Sequence, residues 1–181
     1  GGGIAMAESG DVELERSSLS GCHAEGDGGG ISIQQGGALA LTDSSSIADC
    51  SAGANGGGIA MADSGALSII DSAVSNSIAA NSGGGARFDS SASIATLVRS
   101  NMSNNRAASA SAFYYSGSAS EPGSVRDSRF ESNVADSDGV TITAATELSW
   151  FPCRLGEWMP IRGAFKGDVL GCNACPERYY G

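Results

Sequence analysis

The sequence predicts an all-β fold, a parallel β-helix solenoid of about six 27-residue coils over residues 1–150, followed by a small Cys-rich module over 151–181. Three observations carry this expectation. The opening decapeptide GGGIAMAESG returns at Gly56 as GGGIAMADSG, and looser versions stand at Gly28 (GGGISIQQGG) and Gly83 (GGGARFDSSA). Apolar residues alternate in steps of two at equivalent places in each copy, the period of a strand with one buried face. Finally, with 27 glycines, 6% aromatic and 17% charged residues, the chain is poor material for amphipathic helices, because Gly and Ser both disfavour helix interiors. The regular supply of Ile, Leu and Val argues for order rather than disorder.

The triplet starts at Gly1, Gly28, Gly56 and Gly83 are 27, 28 and 27 residues apart. Continuing the count puts degenerate starts near Ala110 and Ser137. The first strand of each copy then carries Ile4/Met6, Ile31/Ile33, Ile59/Met61, Ala86/Phe88, Phe113/Tyr115 and Val140/Ile142. The second carries Val12/Leu14, Leu39/Leu41, Leu67/Ile69, Ala95/Leu97, Val125 alone, and Leu148/Trp150. The third carries Leu19, Ile47, Val74, Met102 and Phe130. Three short strands bury nothing by themselves, but copies stacked about 4.8 Å apart share a continuous core. An antiparallel sandwich has no reason for a fixed period of this length.

The glycine triplets read as tight stacked corners, where a Cβ has no room and unusual backbone angles are needed. The competing phosphate-cradle reading requires a preceding strand, a following helix and usually a Lys, and none is present. Three residues beyond each third-strand apolar residue stand Cys22, Cys50, Ser77, Asn105 and Asn133. Residues stacked directly above one another can bond amide to amide, so Ser77, Asn105 and Asn133 form a candidate polar ladder. Cys22 and Cys50 would have Cα atoms about 4.8 Å apart, within disulfide range. Stacked free thiols acting as small hydrophobes are the alternative.

The apolar-x-x-Asn element, explicit in FESN (130–133), followed by Gly-Gly-apolar resembles the FxxN and GGA[ILV] repeats of chlamydial polymorphic outer-membrane proteins. Similar repeats occur in surface proteins of algae and other protists. The resemblance covers about Gly1 to Ile142. It implies a right-handed parallel β-helix displayed outside the cell and acting in adhesion or as a spacer. This chain differs in carrying Cys, Cys and Ser in the first three Asn positions, and it lacks the membrane barrel that follows in the bacterial proteins.

From Phe151 the composition changes: this segment holds three of the five Cys and three of the four Pro. CRLGEW and GCNACPERYYG resemble elements of growth-factor-receptor and ephrin-receptor-like extracellular modules. That resemblance implies a disulfide framework, in which Cys153 pairs with Cys172 and the partner of Cys175 lies beyond Gly181. Reading CNAC as half of a zinc site would need another Cys or His pair, whereas the only His is the distant His23, expected in an exposed turn.

Several function classes find little support. A net charge of −10 without a basic patch argues against nucleic-acid partners, and no apolar run approaches the length of a membrane helix. Glycoside hydrolysis needs converging carboxylates; here the acids sit in turns, and Arg87, Arg99 and Arg126 read as isolated surface residues. No catalytic, cofactor or metal residues are therefore expected. Calcium would need several converging oxygens, and the calcium-binding nonapeptide repeat is missing. Asn101-Met102-Ser103 is an N-glycosylation sequon whose Asn should face outwards. The chain starts in mid-repeat, which suggests a segment of something longer, with a lower end that continues into another coil or subunit and a Cys-rich tail that closes the upper one. The functional expectation is a non-catalytic structural or adhesive segment of a secreted or cell-surface protein. Its partners would be further coils, other subunits or extracellular glycans. The alternative is a carbohydrate-binding or polysaccharide-degrading β-helix whose active coils lie outside this stretch.

Overall fold

In the computed structural model, residues 1–63, 65–89, 95–116, 123–137, 140–151 and 159–166 are described, the last two stretches chiefly through their backbone pairing. Among these residues every regular element is a β-strand. The first strands of successive coils, Ile4–Met6, Ile31–Gln34, Ile59–Ala62, Ala86–Asp89 and Phe113–Ser116, pair in parallel one above the next. The second strands, Val12–Glu15, Leu39–Thr42, Leu67–Ile70, Ala95–Val98 and Gly123–Arg126, do the same. Third strands, from Ser18–Ser20 to Arg129–Glu131, form a separate five-stranded sheet. The fold is thus a parallel β-solenoid of about four turns, the interval between five stacked strands. Cross-level contacts recur at a separation of 27 or 28 residues.

Each expected inward column closes into the core. Ile31, Ile33, Leu41, Ile47, Ile59, Ile69, Val74 and Leu97 are buried, each with its equivalent above and below. Side-chain volume is traded between faces as the column rises. The first strands change from Ile and Met to Phe88, Phe113 and Tyr115, while the second strands shrink to Ala95 and then Gly123. The aromatics stack along the solenoid axis, Phe88 on Tyr115 with ring centroids 5.7 Å apart and planes 8° from parallel. At this separation and angle the pair adds attraction beyond its buried area.

Two expectations need correction. Each coil contains four strands, not three. The fourth is a two-residue strand, His23–Ala24, Ser51–Ala52, Ile78–Ala79, Arg106–Ala107 and Val134–Ala135, and these make a third sheet of five strands. Its inward member is alanine at every level, so it sends no aliphatic signal. Second, Phe113 pairs with Ile142 and Tyr115 with Ala144, not with Val140 and Ile142. A shift of two residues preserves the alternation of the backbone, because strand faces alternate with a period of two, and Ile142 stays buried.

The sixth level differs from those below it. Val140–Phe151 is one unbroken strand that pairs with Phe113–Ser116 through its first half and with Gly123–Arg126 through its second. It therefore unites the first and second faces into one 12-stranded sheet. Met159–Lys166 returns antiparallel along it, so the sheet runs through the composition change at Phe151. Cys153, Cys172 and Cys175 lie outside the described residues.

The corner at the head of each coil depends on left-handed backbone. Gly28, Gly56 and Gly83 have φ of 69°, 62° and 68°, and at Gly83 an added Cβ would sit 2.5 Å from the Ala86 carbonyl oxygen. The next equivalent is Ala110, buried, with φ of 48°. An L-residue with a Cβ is strained in this region. Ala110→Gly should therefore raise stability by about 0.5–1 kcal/mol. Denaturant unfolding of the two proteins checks this; an unchanged or lowered midpoint would mean that the methyl group packs more favourably than the strain costs.

Candidate functional site

Besides the column at the head of each coil, two further columns of left-handed residues run up the solenoid, and the polar chemistry is organised around them. The first is Arg16, Asp43, Asp71, Arg99 and Asp127, with φ between 46° and 53°; the second is Gly21, Asp49, Asn76, Asn104 and Ser132, with φ between 50° and 67°. Asn, Asp and Gly tolerate such angles better than other residues. A left-handed residue turns the chain from one strand into the next and leaves nearby N–H and C=O groups out of the ladders. The side chain that follows each bend turns inward and satisfies them.

After the second column come Cys22, Cys50, Ser77, Asn105 and Asn133. The Ser77 N–H donates to Asn105 Oδ1 at 3.0 Å, and the Asn105 N–H donates to Asn133 Oδ1 at 3.0 Å. Asn105 Nδ2 donates to the Val74 carbonyl at 3.0 Å and to Asn133 Oδ1 at 3.1 Å, while Asn133 Nδ2 reaches the Met102 carbonyl at 2.9 Å. Each amide thus ties its own level to the one below. The shorter side chains of this column turn back into their own coil. The Ser77 hydroxyl and the Cys50 thiol donate instead to carbonyls two residues back in their own coil, Ser75 at 3.0 Å and Ala48 at 3.1 Å.

A second ladder, not anticipated from the sequence, follows the first column. Ser17 N–H donates to Ser45 Oγ (3.1 Å), Ser72 N–H to Ser100 Oγ (3.3 Å) and Ser100 N–H to Ser128 Oγ (3.1 Å). Ser45, Ser72, Ser100 and Ser128 are all buried. The signal was available: a Ser stands two residues before every third-strand apolar residue, in SSL, SSI, SAV, SNM and SRF. In so Ser-rich a chain it does not stand out.

Cys22 and Cys50 are thiols in the structure, half-buried and buried respectively. Burial is the main force pushing the Cys50 thiol above its usual pKa, which keeps it neutral at physiological pH.

The outer surface holds two polar clusters. Contrary to expectation, Arg99 and Arg87 are not isolated. Arg99 forks onto Asp71 in the coil below, Nε to Oδ1 at 2.7 Å and a terminal nitrogen to Oδ2 at 2.5 Å. The hydrogen bond from Arg99 holds the Asp71 carboxyl below the ordinary range. The pair therefore favours the folded state above that range, and the benefit is lost as pH falls through the depressed value. Both side chains are largely exposed, so the contribution is small. This cluster borders a groove of about 400 Å³ at the bend between the second and third faces. Arg87 donates to Ser82 Oγ (2.6 Å) and Asp89 Oδ2 (2.8 Å), and its guanidinium lies 4.3 Å from the centre of the Tyr114 ring. Asn55, held by Asp27 at 2.9 Å, completes that side of a depression of about 160 Å³. Stacking made these clusters: residues nearly a coil apart in sequence become neighbours only when the coils are in register.

His23 lies in a strand rather than a turn; it is exposed, with Nδ1 2.8 Å from Ser51 Oγ one level up. Among the described residues no three His, Cys, Asp or Glu side chains are grouped to hold a metal ion, and no helix is long and apolar enough to cross a membrane. No family model, curated protein or solved structure matches this chain.

Removing Asn105 should leave the buried Ser77 N–H without its acceptor and take one donor from the Val74 carbonyl. Asn105→Ala is expected to cost about 2–4 kcal/mol, read from denaturant unfolding; a loss below that of an exposed Asn→Ala control would show that the ladder is not cohesive. Cys50 should resist a thiol reagent in the native protein under reducing conditions and react at the rate of a free thiol only on unfolding. Cys22, more open, should react first. Equal native rates would contradict the burial of Cys50.

Proposed function

We propose that this chain is a non-catalytic, rigid segment of a secreted or cell-surface protein, a right-handed parallel β-helix that acts as a spacer or assembly element. The proposed architecture counts Val140–Phe151 as the sixth coil and treats the residues after it as a small Cys-rich module. One observation supports this reading above the others: the inward polar side chains of the upper coils are spent on bonds between levels. Asn105 and Asn133 bond downward to carbonyls of the preceding coil, and the buried serines bridge levels in the same way. A body cross-linked in this fashion along its axis holds its ends at a fixed separation. Arg87, Arg99 and Arg106 are engaged with neighbouring carboxylates rather than held open for a substrate. The partners that suit it are further coils, other subunits and extracellular glycans.

A second reading, attachment to carbohydrate, draws on the depression beside Arg87. Asp27, Asn55, Arg87 and Asp89 line it, a set able to pair with adjacent sugar hydroxyls, and Tyr114 offers an aromatic edge nearby.

The test uses cells that make the protein. Brief treatment of intact cells with a protease that does not enter them should remove it. The purified protein should release no new reducing ends or unsaturated products from neutral or acidic polysaccharides. Protection in intact cells would overturn the location, and turnover of any polysaccharide would overturn the non-catalytic role.

A further inference from the structure

We propose that Asn101 is a site of N-linked glycosylation and that the groove beside it seats the first sugar. This rests on the extracellular reading above. The sequon Asn101-Met102-Ser103 forms one short strand in which Met102 is buried and the two polar residues are half-buried, so Asn101 points outwards as the attachment requires. Its backbone is locked, with the N–H donating to the Ser72 carbonyl at 3.0 Å.

Asn101, Asn105 and Asn133 are used differently. Asn105 and Asn133 each spend their amides on cross-level bonds. Asn101 makes one long contact, Nδ2 to the sequon hydroxyl Ser103 Oγ at 3.3 Å, and its buried Oδ1 accepts no hydrogen bond. A buried carbonyl oxygen left without a donor is a cost. The side chain therefore does no cohesive work that modification would forfeit.

The space next to it suits a sugar ring. Asn101 pairs in register with Ala73 below and Arg129 above. Because the lower neighbour is only a methyl group, the groove of about 400 Å³ opens along Ala73 and Ser46, with Asp71, Arg99 and Arg129 along its sides. A pyranose has one face of C–H groups to lie on Ala73 and hydroxyls at its rim to meet Ser46 and the charged side chains. In the coupling step, Nδ2 attacks C1 of an oligosaccharide carried on a polyprenyl diphosphate. The N–C1 bond forms, the bond from C1 to the diphosphate oxygen breaks, the diphosphate leaves with the electron pair, and the amide proton passes to a base of the transferring enzyme.

The experiment is to secrete the whole chain from a eukaryotic host behind a cleavable leader and release glycans with peptide-N-glycosidase in heavy-oxygen water. The expected result is heavy-oxygen aspartate at position 101, and complete loss of both label and gel-mobility shift in Asn101→Gln and in Ser103→Ala. Both variants, produced without glycan in the bacterial cytosol, should unfold at the midpoint of the unmodified wild type, which separates loss of the site from loss of fold. After trimming to the first sugar, magnetisation transfer from sugar protons to the Ala73 methyl is expected. Secreted, folded wild type unmodified at residue 101, or label surviving in Ser103→Ala, would overturn the site; a modified Asn101 without contact to Ala73 would overturn the seat. Protection of the native chain from impermeant reagents would instead count against the extracellular reading, and is scored separately.

Discussion

The structure depends on close, in-register stacking of each coil on the next, and the tightest expression of that constraint is at the glycine edge. A Cβ on Gly29 would lie 2.3 Å from the Gly57 carbonyl oxygen, and one on Gly57 would lie 2.4 Å from that of Gly84. Backbone meets backbone there, so consecutive coils approach as closely as the sheet spacing allows. Once this edge is set, every strand in a coil has its register assigned. Ile59 must lie over Ile31, Leu67 over Leu39 and Val74 over Ile47. Like stacks on like, and a core made of short strands becomes continuous.

Stacking also creates the problem that the ladders solve. Four short strands per coil mean frequent bends, and each bend takes backbone groups out of the parallel ladders. Buried, unpaired groups of this kind would be costly. The solution is a left-handed residue followed by an inward Ser, Cys or Asn. Asn and Ser both accept from and donate to the level below, as Asn105 does with the Ser77 N–H and the Val74 carbonyl and Ser100 with the Ser72 N–H and the Ile69 carbonyl. Ser77 and Cys50 return to carbonyls in their own coil. Both ladders thus cross from one level to the next, the second-column ladder through amides in its upper part.

On the outside, the same periodicity gathers charges that are far apart in the chain. Asp71 and Arg99 meet because their separation of 28 residues equals one coil, and Arg106 reaches Asp136 by the same logic across 30. These exposed pairs contribute little to stability. They neutralise part of an otherwise acidic surface and shape the shallow grooves between them. The groove at Asn101 arises in the same way, because a small residue, Ala73, lies below a larger one in the same column.

The sequence by itself determined the period, the parallel stacking and the inward faces of three strands. Large aliphatic residues recurring in steps of two leave few alternatives, and every third-strand residue from Leu19 to Phe130 lies in one register. Of the polar elements, the Asn105 and Asn133 column was visible because each Asn stands three residues after a third-strand apolar residue, Met102 and Phe130. The fourth strand was invisible because Ala24, Ala52, Ala79, Ala107 and Ala135 look like any other alanine; only the walls around them make them core. The serine ladder escaped for the matching reason, since a hydroxyl has no sequence signature that distinguishes burial at a corner from exposure in a loop. Tertiary structure alone decided the two-residue shift at Ile142 and the unbroken strand over the first and second faces, because register at the final level is set by pairing with Phe113 and Val125 and not by a repeat that has already decayed. It also decided which charges meet, since a pair such as Arg99 and Asp71 exists only once the length of a coil has become a distance in space.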